Sequence, residues 1–219
     1  MKKIFIFAVI ALFMCDTAFA QKDWANFGRY QEANTQLSKR PKAVFLGDSI
    51  FDYWFNNDAD FFKKHNYAAR GIGGQTTSEL LVRMRQDVIS INPKYMVFLG
   101  GINDIAQNNG AISLENTFGN IVSIMELAKL HKIKPVLCLL FPGPSIGWNK
   151  NVENASEKVD KLNAMLTEYA TANKIPVVEF FQEVDKSEGR LPAELSGDSI
   201  HPTKAGYKIM EKEIVKYIK

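Results

Sequence analysis

Cysteine is nearly absent from this chain. Two occur among 219 residues, Cys15 and Cys138. Cys15 falls in the N-terminal stretch discussed below, which leaves Cys138 alone and without an internal disulfide partner. Its neighbours in "KPVLCLLF" are apolar, so it reads as a small core residue rather than a nucleophile. Histidine is as sparse, with His65, His131 and His201 scattered along the chain. No histidine–cysteine cluster has metal-ligand spacing, which argues against a metal enzyme. Charge of one sign is also missing. The net charge of +3 is spread along the chain with no long basic run, which leaves nucleic-acid binding without support. The apolar run Ile4 to Met14 is too short to cross a bilayer, which takes about 20 residues. No later stretch is long enough either, so no stable membrane span is expected.

What is present begins with that N-terminal run. Lys2 and Lys3 precede it, and Ala18-Phe19-Ala20 follows with the small-x-small pattern of a cleavage site. Residues 1–20 are therefore expected to be a signal peptide. Residues 21–219 would form one domain, exported to a bacterial periplasm or the exterior. Lipid attachment at Cys15 is disfavoured by the bulky Phe13 and Met14 before it. The remaining composition, 46% hydrophobic and 23% charged, is that of a folded globular chain.

Short β-rich runs alternate with helical patterns. "KAVFLG" (Lys42 to Gly47), "KYMVFLGG" (Lys94 to Gly101), "KPVLCLLF" (Lys134 to Phe141) and "IPVVEFF" (Ile175 to Phe181) read as strands, with a weaker one over Tyr67 to Arg70. Their near-continuous apolar character suits parallel strands covered on both faces. "TTSELLVRMRQDVIS" opens with Thr76 and Glu79 at capping-box spacing. Further helices are expected around Leu114–Ala128, Val159–Leu166 and Ala205–Ile218. The alternation predicts a three-layer α/β/α sandwich around a parallel, flavodoxin-like five-stranded sheet.

In such sheets ligands bind beyond the C-terminal strand ends. Those ends read "GDS", "GIGG" and "GIND". Ser49 in the first is a nucleophile only if a base lies within hydrogen-bond reach. Of the three histidines, His65 sits in a polar stretch and His131 near a helix C-terminus. His201, in "GDSIHP", has Asp198 three residues before it, where a turn can bring the carboxylate to one ring nitrogen. Gly73 and Gly74 let backbone N–H groups approach a developing oxyanion, and the Asn103 side chain can add another donor. Alone, each pattern is equally an ordinary turn, cap or loop. "GIGG" does not extend to G-x-G-x-x-G, because Thr76 occupies the third glycine position.

Together, "GDSI", "GIGGQTT", "GIND" and "DSIHP" resemble, in order and spacing, the four blocks of the SGNH hydrolases, or GDSL esterases and lipases. The strings "GIGGQTTSELLVR" and "GGINDIAQN" look like the branch of platelet-activating-factor acetylhydrolase-like and lysophospholipase-like enzymes. The resemblance implies Ser49 as nucleophile, His201 as general base and Asp198 as its orienting acid. It implies an oxyanion hole from Ser49, Gly74 and Asn103. No metal and no cofactor are expected. Ile50 stands where the family motif has leucine. The expected substrate is a carboxylic ester of a small molecule or glycan, with a short acyl group because no segment is left over for an apolar lid. A lysophospholipase is the alternative, and a non-catalytic envelope- or carbohydrate-binding protein a weaker one. Phe51, Tyr53, Trp54 and Phe55 either line the substrate or pack a helix onto the sheet, and Trp148 reaches the substrate from "FPGPSIGWNKN". Oligomeric state stays open.

Overall fold

The computed structural model describes residues 23–219; the expected leader, residues 1–20, lies outside them. Five strands form one all-parallel sheet in the order β2-β1-β3-β4-β5, with helices on both sides. They are β1 (Ala43–Gly47), β2 (Tyr67–Gly71), β3 (Tyr95–Leu99), β4 (Lys134–Cys138) and β5 (Val177–Val178). Every residue of β1, β2 and β3 is buried. That matches the continuous apolar runs and the doubly covered sheet they imply.

Among the described residues, eight α-helices connect and flank the strands: α1 (Gln31–Thr35), α2 (Ser49–Asn57), α3 (Ala59–His65), α4 (Thr77–Met84), α5 (Ile102–Ile105), α6 (Leu114–Leu130), α7 (Ala155–Ala172) and α8 (Lys204–Ile214). The capping box expected of Thr76 and Glu79 is formed at the start of α4. That helix passes into a π-helical turn over Arg85–Ile89, where continuous α-helix was expected. A buried ion pair, Arg83 to Asp87, spans the transition. Arg83 also donates to Gln75 Oε1 (2.8 Å) and to Arg70 O (3.0 Å), tying α4 to β2 and the loop after it.

β3 covers only Tyr95–Leu99 of the expected Lys94 to Gly101, and β4 and β5 end before their apolar runs do. β4 stops at Cys138 because the Leu140 backbone bonds to a side chain of α7 instead of a strand. Its N–H donates to Asn163 Oδ1 (3.0 Å) and its carbonyl accepts from Asn163 Nδ2 (2.9 Å). β5 is an edge strand pairing only Val177 and Val178, and the chain turns at Glu179, where Gln182 N–H bonds back to Glu179 O.

The aromatics of α2 divide by face. Phe51 and Trp54 are 0% exposed, with Trp54 stacked between Phe61 and Tyr207 at 5.6 and 5.8 Å. They are core, not substrate wall. Tyr53 and Phe55 point outward and are 45% and 40% exposed. Cys138 is buried, and burial drives its thiol well above the ordinary range, as a packed core cysteine requires.

Candidate active site

The sheet order places β2 and β3 on either side of β1, so chain direction across the sheet reverses at β1. The crevice at such a reversal is where α/β sheets bind ligands. The register makes this concrete: Gly47 pairs with Gly71 on one side and Leu99 on the other. The loops carrying "GDS", "GIGG" and "GIND" therefore leave the sheet side by side.

Gly47 is required by crowding. A Cβ there would lie 2.5 Å from Leu99 O and 2.8 Å from the Phe51 ring. Ser49 follows as the first residue of α2, with Asp48 as N-cap accepting from Ile50 N–H at 3.0 Å. Ser49 N–H thus sits in a first helical turn, where amides have no intrahelical acceptor. The serine is 6% exposed, and its Oγ lies 2.9 Å from His201 Nε2.

His201 is held from the far end of the chain. Its Nδ1 is 2.7 Å from Asp198 Oδ2, while Asp198 Oδ1 accepts from the N–H groups of Ile200 (2.9 Å) and His201 (2.8 Å). Burial raises the Asp198 pKa, but these hydrogen bonds outweigh it and hold the carboxyl below its ordinary range. Asp198 is therefore ionised at neutral pH and fixes the His201 tautomer with Nε2 facing the serine. The Tyr53 ring flanks the imidazole at 5.3 Å.

The remaining donors come from the second and third loops. Gly74 adopts φ +80°, a conformation that favours glycine. Gly73 N–H is committed to Asp52 Oδ2 at 3.3 Å, whereas Gly74 N–H has no acceptor among the described residues. Asn103, on the single turn of α5, donates from Nδ2 to Gln75 O at 3.0 Å. Asp104 beside it accepts from Thr77 N–H (2.9 Å) and Thr77 Oγ1 (2.5 Å), locking the third loop to α4.

Of the site residues expected from sequence, Ser49, His201 and Asp198 form one hydrogen-bonded series, while Gly74 and Asn103 stand on the loops that leave the neighbouring strands. His65 and His131 take no part in that series. His131 caps the C-terminus of α6. His65 is half-buried against Phe61 (4.8 Å) and Tyr67 (5.3 Å), more packed than its polar neighbours suggested. Sequence reasoning missed Asn108, which bridges Asn103 and Gly74 and accepts from Trp148. Its one visible signal is its place five residues after Asn103 in "GGINDIAQN".

Asp48 carries a measurable consequence. It is fully buried, its Oδ2 has no hydrogen-bond partner, and burial raises its pKa from 3.8 to about 7. The hydrogen bond from Ile50 and the nearby His201 oppose that rise without cancelling it. Between about pH 4 and 7 the folded state then binds more protons at this group than the unfolded chain does. Its contribution to stability falls as pH rises through that window and levels off above it. The gap corresponds to a few kcal/mol, on the order of 1.4 kcal/mol per tenfold in proton affinity. Asp48→Asn should remove this slope. Urea midpoints of both proteins at pH 4, 5.5, 7 and 8.5 test it: the variant should gain on wild type up to about pH 7, and a difference independent of pH would contradict the assignment.

A hydroxyl, an imidazole and a carboxylate in hydrogen-bond series at the C-terminal edge of a parallel sheet are the arrangement that serine hydrolases use for acyl transfer. The chain belongs to the GDSL-like lipase/acylhydrolase family, which it matches over residues 45–209. A candidate acylhydrolase from Bacteroides fragilis superposes with a TM-score of 0.85 at 44% identity, covering 90% of this chain and 98% of that one. A GDSL-like lipase from Bacteroides thetaiotaomicron gives 0.84 at 41% identity, over 89% and 97%. Among curated sequences, an N-acylneuraminate cytidylyltransferase of Streptococcus agalactiae is 25% identical over 94% of this chain and 45% of its own length. The chain spans less than half the length of the curated relatives it matches.

Proposed function

We propose that this protein is a serine esterase that cleaves short-acyl or O-acetyl esters on a carbohydrate or small molecule through an acyl-enzyme intermediate. The observation that carries the reading is the continuous series Ser49 Oγ–His201 Nε2–His201 Nδ1–Asp198 Oδ2, at 2.9 and 2.7 Å. Ser49 Oγ attacks the ester carbonyl as His201 takes its proton. The tetrahedral oxyanion receives the N–H groups of Ser49 and Gly74 and the Asn103 amide. His201 then protonates the departing alkoxide, leaving the acyl group on Ser49. Water, deprotonated by the same imidazole, attacks that ester and regenerates the serine. Asp198 stays ionised throughout and stabilises the imidazolium.

Short acyl groups are favoured by what surrounds Ser49. A long acyl chain needs a continuous apolar groove, at about 0.8 kcal/mol per buried CH₂. Phe51 and Trp54, two large aromatics close to it in sequence, are consumed by the core. The cavity beyond β4 and β5, which includes Leu140, Phe141 and Phe180 in its lining, does not include Ser49 or His201. The exposed aromatics at the crevice, Tyr53 (45%) and Trp148 (51%), offer flat faces suited to a sugar ring rather than a tunnel. The leader-like residues 1–20 support a further proposal, that the enzyme acts outside the cytoplasm.

Comparing kcat/KM for p-nitrophenyl acetate, butyrate and palmitate, then for acetylated glycans and a lysophospholipid, tests the substrate. Acetate or butyrate should exceed palmitate by at least about tenfold, the equivalent of two or so buried methylenes. A preference for palmitate or lysophospholipid would overturn the short-acyl reading in favour of a lysophospholipase.

A further inference from the structure

Asn108 stands outside the four sequence blocks, at the exposed rim of the third loop. Its side-chain amide nevertheless makes three hydrogen bonds. Nδ2 donates to Gly74 O (3.1 Å) and to Asn103 Oδ1 (2.9 Å), and Oδ1 accepts from Trp148 Nε1 (2.9 Å). Both ends of this chain of amides have a fixed sense. An indole N–H only donates, so it must meet Asn108 Oδ1; a backbone carbonyl only accepts, so Gly74 O must meet Asn108 Nδ2. The Asn108 amide has one permitted orientation, and it presents N–H to Asn103. Asn103 must then turn its oxygen toward Asn108 and its nitrogen toward Gln75 O and the crevice, which agrees with the 3.0 Å bond to Gln75. Gln75 O, itself only an acceptor, demands the same sense, so the two bonds together hold the Asn103 amide; a flipped Asn103 would lose both and turn a carbonyl oxygen, which repels an oxyanion, toward the crevice.

We infer that Asn108 is a positioning residue: it secures, from the side opposite Gln75 O, the rotamer of the Asn103 amide for transition-state stabilisation, and it is itself oriented by the indole N–H of Trp148. This inference rests on the esterase reading and assigns a role to residues that, among the described residues, have no hydrogen bond to Ser49 or His201. The Trp148 ring, half exposed on the loop between β4 and α7, joins the substrate-facing rim to the oxyanion donors through two hydrogen bonds.

The prediction separates positioning from structure by a double-mutant cycle. On p-nitrophenyl acetate, Asn108→Ala and Asn108→Asp should each lower kcat by about tenfold, the upper range for loss of one hydrogen bond, with KM within about twofold. The aspartate keeps the acceptor for Trp148 but has no N–H for Asn103, so it should not rescue. Trp148→Phe, which keeps the ring and removes the N–H, should lower kcat in the same direction by about two- to fivefold. Combined with Asn103→Ala, the loss of Asn108 should add less than about twofold, because its effect runs through the amide already removed. The idea is overturned if the Asn108 variants keep wild-type kcat, if the double variant shows additive losses, or if kcat falls only as the folded fraction falls. A wild-type protein that neither hydrolyses any ester of the panel nor labels with a fluorophosphonate would instead sink the esterase reading, and this inference with it.

Discussion

Ser49→Ala lowers kcat by about 10⁴–10⁶-fold on any ester that the wild type hydrolyses, the scale seen when a triad nucleophile is removed. The expectation follows from how little else the hydroxyl does. Its Oγ has one side-chain partner, His201, and the residue is at the start of α2, whose cap is supplied by Asp48. Removing one oxygen leaves the helix, the core and the Asp198–His201 bond in place. The melting temperature should therefore stay within a few degrees of wild type. Some residual catalysis should persist from the oxyanion donors alone. Purified, folded Ser49→Ala with turnover near wild type would refute the nucleophile assignment. The same variant should also fail to label with a fluorophosphonate probe, a readout independent of substrate choice.

The second large effect is expected at His201, and its force lies in comparison with the other histidines. His201→Ala should cost about as much as Ser49→Ala, because an unactivated serine hydroxyl is a poor nucleophile. His131→Ala should leave kcat within about twofold, since that residue ends α6 and its side chain has no role at the crevice. His65→Ala should also retain activity and lose about 1 kcal/mol of stability, the scale of an aromatic pair contact, because it packs on Phe61 and Tyr67. Equal loss of activity in His131→Ala and His201→Ala would contradict the assignment.

These residues were legible in the sequence because parallel strands announce themselves as unbroken apolar runs, and the chemistry of such sheets gathers where the runs stop. Gly47, Gly71 and Leu99 share one register line, so three strand ends were also three neighbouring loops. Less legible was anything set by a contact between elements distant in sequence. The early end of β4 depends on Asn163, a helix residue that takes over the backbone of Leu140. The role of Phe51 and Trp54 depends on where α2 begins. Once Ser49 is its first residue, Ile50, Phe51 and Trp54 fall on the sheet-facing side and Tyr53 on the other, but the apolar spacing alone does not reveal that phase. Asn108 could not be distinguished from a loop asparagine, because its partners lie on three separate segments.

The pairing of Ser49 with a histidine 152 residues away also governs when this protein can act. A chain emerging N-terminus first displays its serine long before its base exists, and closing so wide a loop is among the entropically slower steps of folding. The last helix seals the arrangement, since the Tyr207 hydroxyl donates to Ile50 O directly beside the serine. The nascent polypeptide is thus chemically silent, and hydrolysis begins only when the serine and its distant histidine have met.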